Sequence, residues 1–212
     1  MKQTIISEMG KHYKDTLDNF GATAEGVGWN GDDAQRIRYE MLARIIIEED
    51  GAEPVTVCDY GCGVGYGYSF FERNFAEKMQ SYTGYDCLEK MVQVARKQFG
   101  SDTEKHMFIC GTEMHESYDY IVSSGIFNLK GNTTGGNWKQ YILDTLHQFH
   151  EHSIKGFAFN ALTVYSDAEK MKEELYYADP MFLFDYCKRN FSRNVAVLHD
   201  YDLYDFTVLV RK

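Results

Sequence analysis

The stretch that most constrains the fold is VTVCDYGCGVGYGYSF, from Val55 to Phe70. A short apolar run, Val55 to Asp59, closes on glycines at every second position: Gly61, Gly63, Gly65 and Gly67. A strand that ends in a glycine-rich turn and leads into a helix is the opening unit of an α/β sheet, and such turns hold nucleotides. Three ligands share that general pattern: the pyrophosphate of a dinucleotide, the phosphates of ATP, or a nucleoside with no phosphate. A Walker loop needs GxxxxGK[ST], and no lysine occurs between Arg44 and Lys78. A dinucleotide turn needs GxGxxG. Counted from Gly61 or Gly63, the third glycine would fall on Tyr66 or Tyr68, so the strict phosphate pattern is absent.

The rest of the chain repeats the strand-then-helix alternation. Upstream, Ala34, Ile37, Met41, Leu42, Ile45 and Ile46 recur at helical spacing between Asp33 and Glu49. An earlier helix is expected over about Ile5 to Phe20, with the glycine-rich connector GATAEGVGWNGDD between the two. Downstream, strands are expected at Tyr82–Tyr85, His106–Cys110, Tyr118–Ser123, Ile154–Asn160, Val195–Leu198 and Phe206–Val210. Helices are expected at Tyr68–Lys78 and Leu88–Gln98, around the stripe Trp138, Tyr141, Ile142, Leu146 and Phe149, and from Pro180. Alternating strands and helices build a parallel sheet with crossover connections. The last two strands lack a helix between them and should form an antiparallel hairpin at one edge. The expected fold is therefore α/β: a Rossmann-like, seven-stranded, mostly parallel sheet with helices on both faces and an antiparallel C-terminal hairpin strand. Residues 1–212 are expected to form a single domain, 1–50 a helical cap and 51–212 the α/β core. Ligands of such sheets bind beyond the carboxyl ends of the strands, which selects the loops after Asp59, Tyr85, Cys110, Ser123, Asn160 and Leu198.

Charge and composition narrow the partners. A formal net charge of −10 without a basic run argues for a small-molecule partner and no nucleic acid. No apolar run approaches the roughly 20 residues of a membrane span, and MKQTIISEMGKHYKD is too polar for a signal peptide. The chain is expected to be cytoplasmic. Five cysteines at spacings that match no zinc pattern read as reduced thiols serving as small core residues, with Cys58 and Cys110 inside apolar runs. His147, His150 and His152 in LHQFHEH make a solvated helix end rather than a metal site.

The segment Asp59-Tyr60-Gly61-Cys62-Gly63-Val64-Gly65 resembles the first motif of the class I S-adenosylmethionine-dependent methyltransferases. Their cofactor carries no phosphate, and the glycines let backbone approach its methionine portion without a Cβ in the way. The resemblance implies S-adenosylmethionine as cofactor, with Gly61, Gly63 and Gly65 against it and Asp59 on the ligand side. Asp86, in YTGYDCLEKM, takes the place of the carboxylate that accepts the ribose hydroxyls, with Cys87 and Leu88 beside it. The third strand ends in Cys110, Gly111 and Thr112 where the family often has an acid, so adenine contacts fall to backbone groups and Thr112. Ser123 to Phe127, with Ser124 as the contact residue, should pass under the methionine and sulfonium end. Trp29 sits in the connector that would fold over the cofactor, and Arg38 would reach the cofactor carboxylate. GATAEGVGWNGDDAQRIRYEML and the C-terminal segment with HDY resemble a narrower bacterial group often encoded beside surface-polysaccharide or secondary-metabolite genes.

Methyl transfer from a sulfonium is an in-line displacement, and alignment supplies much of the acceleration. A general base is needed only for a hydroxyl or a protonated amine. His199, at the end of a strand, is the candidate base, with Asp200 and Tyr201 to orient it or bind substrate. Asn160 is placed to hold an acceptor oxygen, and Tyr176, Tyr177 and Asp179 in ELYYADP to line a substrate pocket. The expected reaction is methylation of an oxygen or nitrogen of a small polar metabolite, such as a sugar-nucleotide or surface-polysaccharide precursor. The rivals are an NAD(P)-dependent oxidoreductase and a non-catalytic relative that kept the nucleotide fold.

Overall fold

The structure, a computed structural model, describes residue 10 and residues 31–47, 53–100 and 102–212. The helix expected over Ile5 to Phe20, Gly10 apart, and the connector up to residue 30, Trp29 included, lie outside the described residues. Helix α1 is Asp32–Ile47; β1 is Val55–Tyr60; α2 is Tyr66–Phe75, continued by a 3₁₀ turn at Ala76–Lys78. Then follow β2 (Met79–Asp86), α3 (Glu89–Phe99), β3 (His106–Cys110), β4 (Tyr118–Ser123) and α4 (Gly135–His152). The chain ends with β5 (Ser153–Leu162), α5 (Pro180–Asn190), β6 (Asn194–Leu198) and β7 (Asp205–Arg211).

The seven strands form one sheet in the order β3-β2-β1-β4-β5-β7-β6. The first five run parallel, while β7 is antiparallel to both β5 and β6. The hairpin stands at one edge as the sequence predicts, and its second strand inserts between β5 and β6. β6, antiparallel to β7, therefore points the same way as β5. β2 begins three residues before its expected start, because Met79 pairs with Val55.

The period-2 alternation of the strands sorts side chains onto two cores. In β1, Val55 and Val57 join Leu42, Phe71 and Val92 on the face covered by α1, α2 and α3. Cys58 and Tyr60 join Trp138, Phe149 and Leu183 on the face covered by α4 and α5. Trp138 is fully buried and donates from Nε1 to the Phe127 carbonyl at 2.8 Å, which ties α4 to the loop after β4. Pro180 stands in the first turn of α5, and Asp179 caps that helix by accepting from the Met181 and Phe182 N–H groups at 2.8 and 3.3 Å.

Helix α1 buries Gln35, Arg38, Tyr39, Leu42, Ile45 and Ile46 on one side and packs on β4, β5, β7 and α2. Two buried polar contacts fasten it. Arg38 Nη2 lies 2.6 Å from Asp205 Oδ2 on β7, and the Tyr39 hydroxyl donates to Asp59 Oδ2 at 2.8 Å. The thiols divide: Cys58, Cys62 and Cys187 are buried, whereas Cys110 is exposed where edge strand β3 ends, against the expectation for that apolar run.

Candidate functional site

The glycine turn is built by conformations that other residues rarely adopt. Gly61, Gly63 and Gly65 have φ of 85°, 54° and 88°. Gly61 and Cys62 both donate to the Tyr85 carbonyl, at 2.7 and 2.9 Å, so the turn folds across the end of β2. Gly63 then donates from its N–H to Asp86 Oδ2, and Leu88 from its N–H to Asp86 Oδ1, each at 2.9 Å. One carboxylate thus organises the ends of β1 and β2 together. Asp86 is half-buried with its open side in a cleft. Burial raises its carboxyl to about 6, against the lowering effect of those two N–H donors.

The cleft lies at the carboxyl ends of β1, β2, β3 and β4, where ligands of such sheets bind. Its floor is Gly61 to Val64; Asp86, Cys87 and Leu88 form one side, with Gly111 and Thr112 beyond them. Ser124, Gly125 and Ile126 close the opposite end. This brings Gly61, Gly63, Asp86, Cys87, Leu88, Gly111, Thr112 and Ser124 together in the wall of one cleft. Met91 of α3 also reaches the cleft while 2% exposed. The Thr112 carbonyl already accepts from the Tyr60 hydroxyl at 2.7 Å and from Gln148 Nε2 at 3.0 Å, which fixes the third loop from the α4 side.

Several expectations are corrected. Asp59 is fully buried and off the cleft wall. It shares the parity of Val55 and Val57, so its side chain enters the α1–α2 face. There Oδ2 accepts from the Tyr39 and Tyr82 hydroxyls, both at 2.8 Å. Burial raises its carboxyl to about 6 although both phenols stabilise the anion. Gly65 stands behind the turn rather than against a ligand; a Cβ there would lie 2.7 Å from Phe99. Arg38 does not reach the cleft, because Asp205 holds it. Asn160 is fully buried: Oδ1 accepts from the Gly125 N–H at 2.7 Å and Nδ2 donates to Ser124 Oγ at 3.2 Å. It positions the loop that walls the cleft and does not face it. Trp29 lies outside the described residues.

The substrate and base candidates also sit elsewhere. His199 follows β6 and points toward the expected end of the sheet, but three strand spacings, about 14 Å, separate β6 from β4. It is exposed beside Tyr165 and Phe206. Asp200 is exposed, and the Tyr201 hydroxyl pairs with Thr207 Oγ1 at 2.9 Å. Tyr176 lines a separate shallow hollow with Lys139 and Phe182, Tyr177 accepts from the Lys172 N–H at 3.0 Å, and Asp179 is the α5 cap. His147 bonds the Tyr186 hydroxyl and His150 stacks on Phe191, so these two join α4 to α5 and its end.

What sequence reasoning missed is aromatic. Tyr39, Tyr60, Tyr66, Tyr85 and Tyr141 all line the cleft, together with Gln35. No Lys, Arg or His lines it among the described residues. Tyr60 and Tyr85 end the very strands whose loops the rule selects, and Tyr66 is one of the two residues that break the dinucleotide pattern; those were the available signals.

No family model matches the chain. A curated relative from Mycobacterium tuberculosis (strain ATCC 25618 / H37Rv), "Putative methyltransferase Rv1506c", is 44% identical over 164 residues, 77% of this chain and 96% of the relative. Among solved structures, magnesium protoporphyrin IX methyltransferase from Synechocystis PCC 6803 with bound SAH superposes over 100% of both chains, with a TM-score of 0.66 and 14% identity. A SAM-dependent methyltransferase from Leishmania major matches over 94% of this chain and 82% of its own, also with a TM-score of 0.66 and 14% identity. These two structures establish the fold.

Proposed function

The chain belongs to the class I S-adenosylmethionine-dependent methyltransferases, and from that premise we propose that it transfers the methyl group to an oxygen or nitrogen of a small polar metabolite. The observation that carries this reading is the cleft over Gly61 to Val64 with the Asp86 carboxylate in its wall.

The residues present fit the cofactor. A nucleoside needs a carboxylate for its ribose and an apolar slot for its base; Asp86 supplies the first, Leu88 and Met91 the second. A dinucleotide would bring a pyrophosphate to a turn without the GxGxxG spacing, in a wall with no cationic side chain among the described residues, so the oxidoreductase reading is not favoured. The same lack favours an uncharged precursor over a sugar nucleotide as acceptor. Five tyrosines offer ring faces for such a molecule, the Tyr39 and Tyr60 hydroxyl protons being already given to Asp59 and to the Thr112 carbonyl.

When bound, S-adenosylmethionine supplies a methyl group on a sulfonium, with a neutral thioether as leaving group. The chain's own part is orientation. Asp86 would accept the ribose hydroxyls, the loop of Ser124 and Gly125 that Asn160 holds would lie at the methionine end, and Gln35 and Tyr39 of α1 add to the wall. With His199 away from the wall, alignment and water exclusion are the means of acceleration. We further propose that residues 1–212 act as one cytoplasmic methyltransferase domain with residues 1–50 as its cap.

The test is titration calorimetry with S-adenosylhomocysteine and, separately, NADH, followed by transfer of labelled methyl groups to a panel of glycosides and sugar nucleotides. Micromolar binding of S-adenosylhomocysteine and turnover on a neutral glycoside are expected. Tight binding of NADH alone would overturn the reading.

A further inference from the structure

Gln35 is 95% buried by the complement of its 5% exposure, yet its side-chain amide makes no hydrogen bond to any described residue. It lines the cleft. With the rest of the residue packed away, the open side of the amide is the cleft, so its hydrogen-bond partners are what the cleft holds, solvent or ligand.

The place of Gln35 selects which part of the ligand. The ends of β3 and β2 carry Gly111, Thr112, Leu88 and Asp86, the base and ribose side of the cleft. Helix α1 packs instead on β4, β5, β7 and α2, so Gln35 enters the cleft from the β4 side, away from β3, where the amino-acid portion of the cofactor belongs. That portion presents an ammonium and a carboxylate. The carboxylate needs donors, and among the described residues the wall offers no cation for it. Arg38, one turn further on the same face, is held by Asp205. Tyr39, four residues on, is held by Asp59. Those two contacts fix the helix face that presents Gln35, so its amide arrives preorganised.

We infer that the Gln35 side-chain amide donates from Nε2 to the α-carboxylate of the cofactor's methionine portion, so that this chain recognises that charge with a neutral donor. The inference rests on the cofactor assignment above. It adds that recognition of the amino-acid end resides in α1 and not in the glycine turn alone.

The experiment compares S-adenosylhomocysteine with 5′-methylthioadenosine, which keeps base, ribose and thioether but lacks the amino-acid portion. Both are titrated into the unsubstituted protein, Gln35→Ala and Gln35→Glu. Gln35→Ala is expected to weaken S-adenosylhomocysteine about 10- to 100-fold, the worth of a hydrogen bond to a charged group, and to leave methylthioadenosine within twofold. Gln35→Glu, nearly isosteric, is expected to weaken S-adenosylhomocysteine further, because two carboxylates would then face each other. Equal losses for the two ligands would make Gln35 merely structural and overturn the inference. So would unchanged or tighter S-adenosylhomocysteine binding in Gln35→Glu, the mark of an amide that accepts from the ammonium. Unchanged binding in Gln35→Ala with only a raised KM for the acceptor would assign Gln35 to the acceptor instead. Absence of S-adenosylhomocysteine binding by the unsubstituted protein would overturn the methyltransferase reading itself, and this inference with it.

Discussion

At the scale of single residues, two aspartates 27 positions apart (59 and 86) perform opposite tasks with similar titration. Asp86 faces the ligand and both its oxygens already take backbone N–H groups. Its ionised form is the one that accepts ribose hydroxyls, and its carboxyl lies near 6. Affinity for S-adenosylhomocysteine should therefore be flat above pH 7 and fall as pH drops through about 6. Calorimetry across that range checks it; Asp86→Asn should bind weakly and lose the pH step. Asp59 faces inward, fully buried, and its raised carboxyl has a consequence for stability. Its folded value of about 6 stands above the ordinary 3.8 of an unfolded aspartate. The folded state thus holds the proton more tightly between those values, and the stability that this proton gives is lost as pH rises from about 4 to about 6. The difference amounts to about 3 kcal/mol. In urea unfolding, the stability of Asp59→Asn relative to the unsubstituted protein should shift in favour of the variant by about that amount between pH 4 and pH 7. A relative stability that stays constant over this range would mean that Asp59 titrates normally.

At the scale of elements, the decisive contact is that of α1 with α2. Gly67 lies inside α2, where alanine would be the better helix former by about 1 kcal/mol. A Cβ at Gly67, however, would lie 2.0 Å from Asp59 Oδ2 and 2.8 Å from the Tyr39 ring. Neither neighbour has room to retreat, since Asp59 is held by two phenols and Tyr39 packs near Tyr66, Phe70 and Phe71. Overpacking of this kind costs roughly 1–3 kcal/mol or more, which exceeds the propensity gain. Gly67→Ala is expected to lower the unfolding free energy and, by lifting α1 from the cleft, to weaken S-adenosylhomocysteine; thermal melting and calorimetry read the two effects. The fourth glycine of the opening motif therefore serves helix packing, a role its spacing with the other three conceals. Element identities, by contrast, were legible: strand and helix periods placed seven strands and the helices between them, with ends off by a few residues where pairing extended β2 and β5.

At the scale of the whole molecule, Arg38 and Asp205 join the first described helix to the last strand across 167 residues. Both side chains are buried, so removing one strands the other's charge, typically a loss of about 3–5 kcal/mol. Asp205→Ala should show that loss in urea unfolding. The double variant Arg38→Met with Asp205→Leu should be more stable than either single change, because no charge remains unpaired. If the double variant loses as much as both singles together, the pair is not the fastening of α1. The chain's own residues determined the class of fold, the ligand face and the glycine and carboxylate part of the cleft wall, because strand period, turn glycines and the residue after each strand are local properties. Tertiary structure decided the partners. That Asp59 turns inward, that Arg38 spends its charge on Asp205, that Asn160 braces a loop and that tyrosines from separate elements meet in one cleft all depend on contacts between residues far apart in sequence. No local pattern encodes which buried group a side chain will find, since that follows from strand order and helix docking, and these exist only once the chain has folded.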